Sequence, residues 1–216
     1  MGEKSNPFLQ VYFKLLDHYG QQDWWPADDC FEIMIGAILT QNTNWQNVEK
    51  AINSLKQTNS CSPQALFGVS VDALAQMIRS SGYFNQKAQR LKHFTEWYLA
   101  SGGYDSLARL EPVDLRSRLL ALKGIGEETA DDICLYAFEH PWFVVDSYTR
   151  RIFSRLKLLN GSEKYGEIQQ AFHAHLQADS ELFQQYHALI VEHAKQHCRK
   201  QPQCEHCPLI DICHYD

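Results

Sequence analysis

The chain has 216 residues, 44% apolar and 21% charged, a balance that fits an ordinary globular protein with a real core and excludes a low-complexity chain. Its formal net charge of −6 excludes a protein that coats nucleic acid nonspecifically, but not a DNA enzyme, whose binding depends on where its positive charges lie. The longest apolar run is too short to span a membrane and Met1–Pro7 lacks the pattern of a signal peptide, so a cytoplasmic protein with reduced cysteines is expected.

Helical periodicity dominates from the start. Phe8, Val11, Tyr12, Leu15, Leu16 and Tyr19 recur at helical spacing over residues 8–19. Phe31 to Leu39 is almost wholly apolar, with Asp28 and Asp29 as possible caps, and Gln41 to Leu55 continues with Trp45, Val48, Ile52 and Leu55 on one face. Two buried helices are predicted there. Further helices are predicted over 71–79, 86–100, 113–122, 129–138, 147–158, 163–177 and 179–197, punctuated by Gly102-Gly103, Pro112, Pro141 and Gly161. The expectation is an all-α protein of roughly ten short helices.

Four features carry chemistry. The string Leu122-Lys123-Gly124-Ile125-Gly126-Glu127-Glu128-Thr129-Ala130 places a tight Gly-Ile-Gly turn between two amphipathic runs, with Ile125 as a core anchor. Such a turn presents backbone N–H groups that can grip a DNA phosphate without reading sequence. Beyond it, Val144-Val145-Asp146 puts a carboxylate at the start of a helical run. Asp146 can cap that helix, and it can also stabilise a sugar cation and orient a water. The tail spaces Cys198, Cys204, Cys207 and Cys213 as C-x5-C-x2-C-x5-C, which reads as a metal site rather than as disulfides. Cys30, Cys61 and Cys134 read as core residues. Finally, Trp24-Trp25-Pro26 with Trp45 forms a possible stacking surface. Such flat aromatic walls can stack on a planar group and attract a cation. Positive charge gathers at Arg150, Arg151, Arg155 and Lys157, and again at Lys195, Arg199 and Lys200.

The hairpin string, His140-Pro141-Trp142-Phe143-Val144-Val145-Asp146, Ala37-Ile38-Leu39-Thr40-Gln41-Asn42-Thr43 and Gly82-Tyr83-Phe84-Asn85-Gln86-Lys87-Ala88 together resemble the endonuclease III superfamily of DNA glycosylases. The likeness runs from about residue 28 to the C-terminus. It implies a two-lobed helix-hairpin-helix fold. A six-helix barrel would span 22–138, and a cluster lobe would form from 1–21 and 139–216, with the active site in the cleft between them. It also implies Asp146 as the catalytic residue, Gly124, Ile125, Gly126, Thr129, Gln41 and Lys123 as DNA-binding residues, and Gln41 as the side chain that fills the gap left by a flipped nucleotide; read by itself, Gln41 is equally a polar loop residue. Asn85 and Lys87 are expected to be structural, in a turn after Gly82. The four tail cysteines resemble the family's 4Fe–4S loop, with five residues in the first gap where the family has six; zinc is the alternative.

Bifunctional members carry a lysine where this chain has Glu128. Glutamate cannot form an imine, which implies a monofunctional enzyme. The Trp-Trp-Pro pattern and Glu128 resemble the 3-methyladenine glycosylase branch. That implies hydrolysis of alkylated purines in double-stranded DNA by a monomer, cytoplasmic and nucleoid-associated when bound, with Trp24, Trp25 and Trp45 as the base pocket. Three readings stay open beside it: a glycosylase for mismatched, deaminated or oxidised bases, a lyase using another lysine such as Lys123, and a non-catalytic DNA-damage or redox sensor.

Overall fold

The computed structural model describes residues 6–215. Twelve α-helices and no β-strand occur among them, which establishes the all-α class. The chain divides into two units: one joins the stretch up to Trp24 to the stretch from Pro141 onward, and the other is the continuous run Trp25–His140.

The first unit holds α1 (Pro7–Tyr19), α10 (Ser147–Arg155), α11 (Tyr165–His175) and α12 (Ser180–Gln196). Asn6 caps α1 by accepting from the Phe8 and Leu9 N–H groups, with Pro7 pre-set in the first turn. The core is aromatic. Phe143 stacks on Phe172 with centroids 3.8 Å apart, and Phe8 meets Phe153 at 5.3 Å and Phe172 at 4.9 Å. Tyr186, fully buried on α12, spends its hydroxyl on the Phe8 carbonyl at 2.7 Å. The N-terminal helix and the last third of the chain are thereby closed on each other.

The second unit runs through α2 (Cys30–Thr40), α3 (Trp45–Gln57), α4 (Pro63–Gly68), α5 (Val71–Met77), α6 (Phe84–Ala100), α7 (Tyr104–Leu107), α8 (Pro112–Leu120) and α9 (Glu127–Asp132). Asp29 caps α2, accepting from the Glu32 N–H at 2.8 Å. The apolar character all round α2 is explained by burial of Met34, Ile35, Ile38 and Leu39 on every side.

Three local readings are corrected. Helix α3 starts at Trp45, not at Gln41, because Asn42 takes a positive φ of 54° and Asn44 caps the helix through the Asn47 N–H. The short helices α4 and α7 have too few residues to show a period. Asn85 and Lys87 belong to the first turn of α6 rather than to a turn before it. Lys87 is 1% exposed and donates to the Leu39 carbonyl at 2.8 Å and the Ser81 carbonyl at 2.5 Å, tying α6 to the end of α2. Past α9 the helix widens into a π turn over Ile133–Ala137 and ends at Glu139, which has a positive φ of 55°. No helix among the described residues is long and apolar enough to cross a membrane.

Candidate functional site

The hairpin lies in the second unit, between α8 and α9. Gly124 takes φ +94°, a conformation open to glycine, and Gly126 caps α9 with an extended backbone and no side-chain partner. Ile125 is 7% exposed and anchors the turn, its N–H donating to the Leu122 carbonyl at 3.1 Å. Lys123, Glu127 and Glu128 are exposed.

Gln41 folds onto the hairpin. Its amide donates to the Gly124 carbonyl at 3.1 Å and to the Thr129 hydroxyl at 2.9 Å, while its carbonyl accepts from Arg90. Thr129 is accordingly buried, facing Gln41 rather than solvent. Arg90 was not legible as a site residue. Its side chain runs beneath Gly124, so close that a Cβ there would meet its Nε at 2.7 Å.

Trp25 and Trp45 meet edge to face at 5.2 Å, and Trp25 also meets Tyr136 at 5.3 Å. The Trp25 ring lies against Gly36, where a Cβ would stand 3.2 Å from it. Both tryptophans line a pocket of about 410 Å³ with Pro26, Glu32, Glu49 and Lys56. Lys56 binds Asp28 and Glu32, each at 2.8 Å. Trp24, expected beside them, belongs to the first unit. There it lines a different pocket with Tyr12 and Gln185, its ring 5.7 Å from the Lys195 ammonium.

Asp146 lies in the first unit. The segment before it is pinned by α11: Gln169 donates to the Phe143 carbonyl at 2.8 Å, and the Val145 N–H donates to the Tyr165 hydroxyl at 3.3 Å. Asp146 caps α10, its Oδ1 accepting from both the N–H and the hydroxyl of Thr149 at 2.7 and 2.8 Å. Its Oδ2 stands 3.8 Å from Nε2 of His187 on α12. Burial pushes the carboxyl pKa up, but His187 and the two Thr149 donors outweigh it and hold the group below its ordinary value. Asp146 is therefore a carboxylate at neutral pH, with one oxygen committed to the helix and one turned to His187. Neither Thr149 nor His187 stood out in the sequence, although a threonine three residues past a capping Asp is a local signal.

Cys198, Cys204, Cys207 and Cys213 line a single pocket whose remaining wall includes Ile152, Leu156 and Leu209. Arg155 organises it. The guanidinium donates to Cys198 Sγ at 3.1 Å and to the carbonyls of Arg199 at 2.7 Å and Lys200 at 2.9 Å. Arg151 donates to the Cys198 carbonyl at 2.8 Å, and Arg150 to the Glu163 carbonyl. The three arginines of the first positive cluster thus spend their guanidinium groups on their own chain. His193 links Tyr19, at 3.0 Å from its Nδ1, to Cys207 Sγ at 3.9 Å from its Nε2. Burial, with His197 and His18 nearby, pushes its imidazole down to about 3, so the ring is neutral. Among the described residues no three His, Cys, Asp or Glu side chains converge on a single metal ion.

Comparison with known proteins places this geometry. The model of the HhH-GPD superfamily base excision DNA repair proteins matches residues 35–177. A Methanocaldococcus jannaschii protein, named as an inferred DNA repair glycosylase, is 45% identical over 216 residues, 97% of this chain and 98% of that protein. Endonuclease III of Sulfolobus acidocaldarius is 28% identical, with 95% of each chain covered. Among solved structures, the H. pylori 3-methyladenine DNA glycosylase MagIII bound to 1,N6-ethenoadenine superposes with a TM-score of 0.76 at 28% identity, covering 90% of this chain and 98% of that one. The chain belongs to the HhH-GPD superfamily and is a DNA glycosylase of base excision repair.

Proposed function

We propose that this glycosylase is monofunctional and hydrolyses the N-glycosidic bond of alkylated purines such as 3-methyladenine in double-stranded DNA. The observation that carries the lesion class is the Trp25–Trp45 pocket. It is lined by two indole rings together with Asp28, Glu32 and Glu49, while Lys56 offsets only part of that negative charge. An alkylated purine is a flat cation, and aromatic faces with nearby carboxylates attract one. MagIII, which is named for 3-methyladenine, supports the reading as a neighbour in fold and sequence.

Alkylation has already made the base a good leaving group. The C1′–N bond breaks with its electron pair going to the base. The Asp146 carboxylate stabilises the positive charge left on the sugar, orients the water whose oxygen adds to C1′ and accepts the proton that water gives up. Gly124, Ile125, Gly126 and Lys123 hold the DNA backbone at the hairpin, with Gln41 and Thr129 fixing its shape. Glu128 stands where lyase members carry their amine, and it supplies none.

The four cysteines would hold a 4Fe–4S cluster. Four cysteines that share one pocket supply the four thiolates a cubane takes at its corners, and the family resemblance favours the cluster over a single zinc ion. When bound, the group would cross-link the loop 198–213 to itself, and Arg151 and Arg155 of α10 hold that loop through hydrogen bonds to Cys198, Arg199 and Lys200.

Base release from methylated duplex DNA by the wild type and by Asp146→Asn tests the reading. Release of 3-methyladenine by the wild type alone, with no borohydride-trapped adduct on abasic DNA, is the expected result. Release only of oxidised, deaminated or mismatched bases overturns the lesion class, and a trapped adduct overturns monofunctionality. Anaerobically purified protein should be brown and contain iron; colourless protein with one zinc overturns the cluster.

A further inference from the structure

We infer that His187 is a positioning residue for the reaction, holding Oδ2 of Asp146 aimed and ionised for the sugar. The inference rests on Asp146 being the catalytic carboxylate and goes beyond it by naming what prepares that group. Thr149 saturates Oδ1 from two donors. Oδ2 is then the oxygen left to face substrate, and the His187 ring edge is 3.8 Å from it. At 3.8 Å the ring edge stands just beyond hydrogen-bond distance of the oxygen, close enough to orient it without occupying it.

The ring has little freedom to leave. His187 is 6% exposed and is flanked on α12 by the buried Tyr186, Ala188 and Leu189. Other ionisable groups on the elements packed around it are engaged elsewhere. Tyr186 is bound to the Phe8 carbonyl, Tyr165 of α11 to the Val145 N–H, and Arg150 of α10 to the Glu163 carbonyl, while Tyr12 of α1 packs edge-on against Tyr186. Asp179 and Glu181, at the start of α12, act on Tyr12. His187 and Thr149 are thus the groups that offset the burial of Asp146. Removing the imidazole leaves the carboxylate buried without its main compensation, which favours the protonated, inert form.

The test is single-turnover base release across pH by wild type, His187→Phe, His187→Gln and Asp146→Asn, on a panel of duplexes carrying alkylated, deaminated and oxidised bases. Circular dichroism melts select the variants that fold. Removing His187 should move the acid limb of the rate profile to higher pH at unchanged DNA affinity, with about a tenfold loss below the limb for each unit of displacement. His187→Gln retains a donor and should recover part of the shift. An acid limb that stays in place in the folded variants overturns the role of His187. Wild-type release by Asp146→Asn overturns instead the assignment on which it rests.

Discussion

The two hairpin glycines are there for different reasons, and substituting each by alanine separates them. Gly124 sits at φ +94°, and an added Cβ would lie 2.7–2.8 Å from Nε, Cδ and Cγ of Arg90. A side chain in such a backbone conformation costs about 1–3 kcal/mol. Arg90 can relieve the clash only by giving up its bond to Gln41, which also holds the Gly124 carbonyl and Thr129. Gly126 is extended, and an added Cβ there would meet nothing within 4 Å. At 2–4 °C per kcal/mol for a chain of this size, Gly124→Ala should lower Tm by about 2–12 °C and Gly126→Ala should leave it within about 1 °C. Both should weaken binding to duplex DNA whatever its sequence: the Gly126 methyl group enters open space beside the N–H groups proposed to meet a phosphate, while Gly124→Ala distorts the turn that presents them. Differential scanning fluorimetry and a salt-controlled fluorescence anisotropy titration read the two effects. Equal melting temperatures for the two variants would refute the account of Gly124. Unchanged DNA affinity in Gly126→Ala would refute the hairpin as a phosphate grip.

Two other perturbations probe the groups around the site. Thr149→Val deletes one of the two donors to Asp146 Oδ1 while keeping the N–H bond; a hydrogen bond to a charged group is worth about 1.5–3 kcal/mol, and chemical denaturation should show a loss of that order at pH 7 that shrinks as acid protonates Asp146. Lys87 has its pKa lowered from 10.5 to about 8, chiefly by burial and then by Arg90. Between those values the unfolded chain holds a proton that the folded chain has released, so this residue adds stability as pH rises from 8 toward 10.5. The stability difference between wild type and Lys87→Met should therefore move in favour of wild type over that window; a pH-independent difference would show that Lys87 stays charged when buried.

The helical class was legible because Phe8 to Tyr19 and Trp45 to Leu55 repeat with a period that no strand can satisfy. The hairpin and Asp146 were legible because a Gly-x-Gly turn and a capping carboxylate are local devices written in consecutive residues. What surrounds them was not. Arg90 reaches Gly124 and Gln41 from α6, and His187 reaches Asp146 from α12. Neither contact has a periodic or neighbouring partner in the sequence. Adjacency even misled at Trp24-Trp25. The dipeptide reads as one stacking surface, yet the division between the units falls between the two residues, sending one ring toward Lys195 and the other to Gly36 and Trp45. The bonds from the Gln41 amide to the hairpin it neighbours in space were equally out of reach of the sequence.

The split course of the first unit sets an order of events at the ribosome. Helix α1 emerges first, but Phe8 must wait for Phe153, Phe172 and Tyr186 before its face is covered. The run Trp25–His140 lies wholly between these partners and holds its own contacts, so it can close while the tail is still being made. At about 5–20 residues per second the N-terminal helix stays without its mates for roughly 6 to 23 s during synthesis of that run alone. Among the described helices its apolar stripe has the longest wait, which makes it a target for a nascent-chain chaperone.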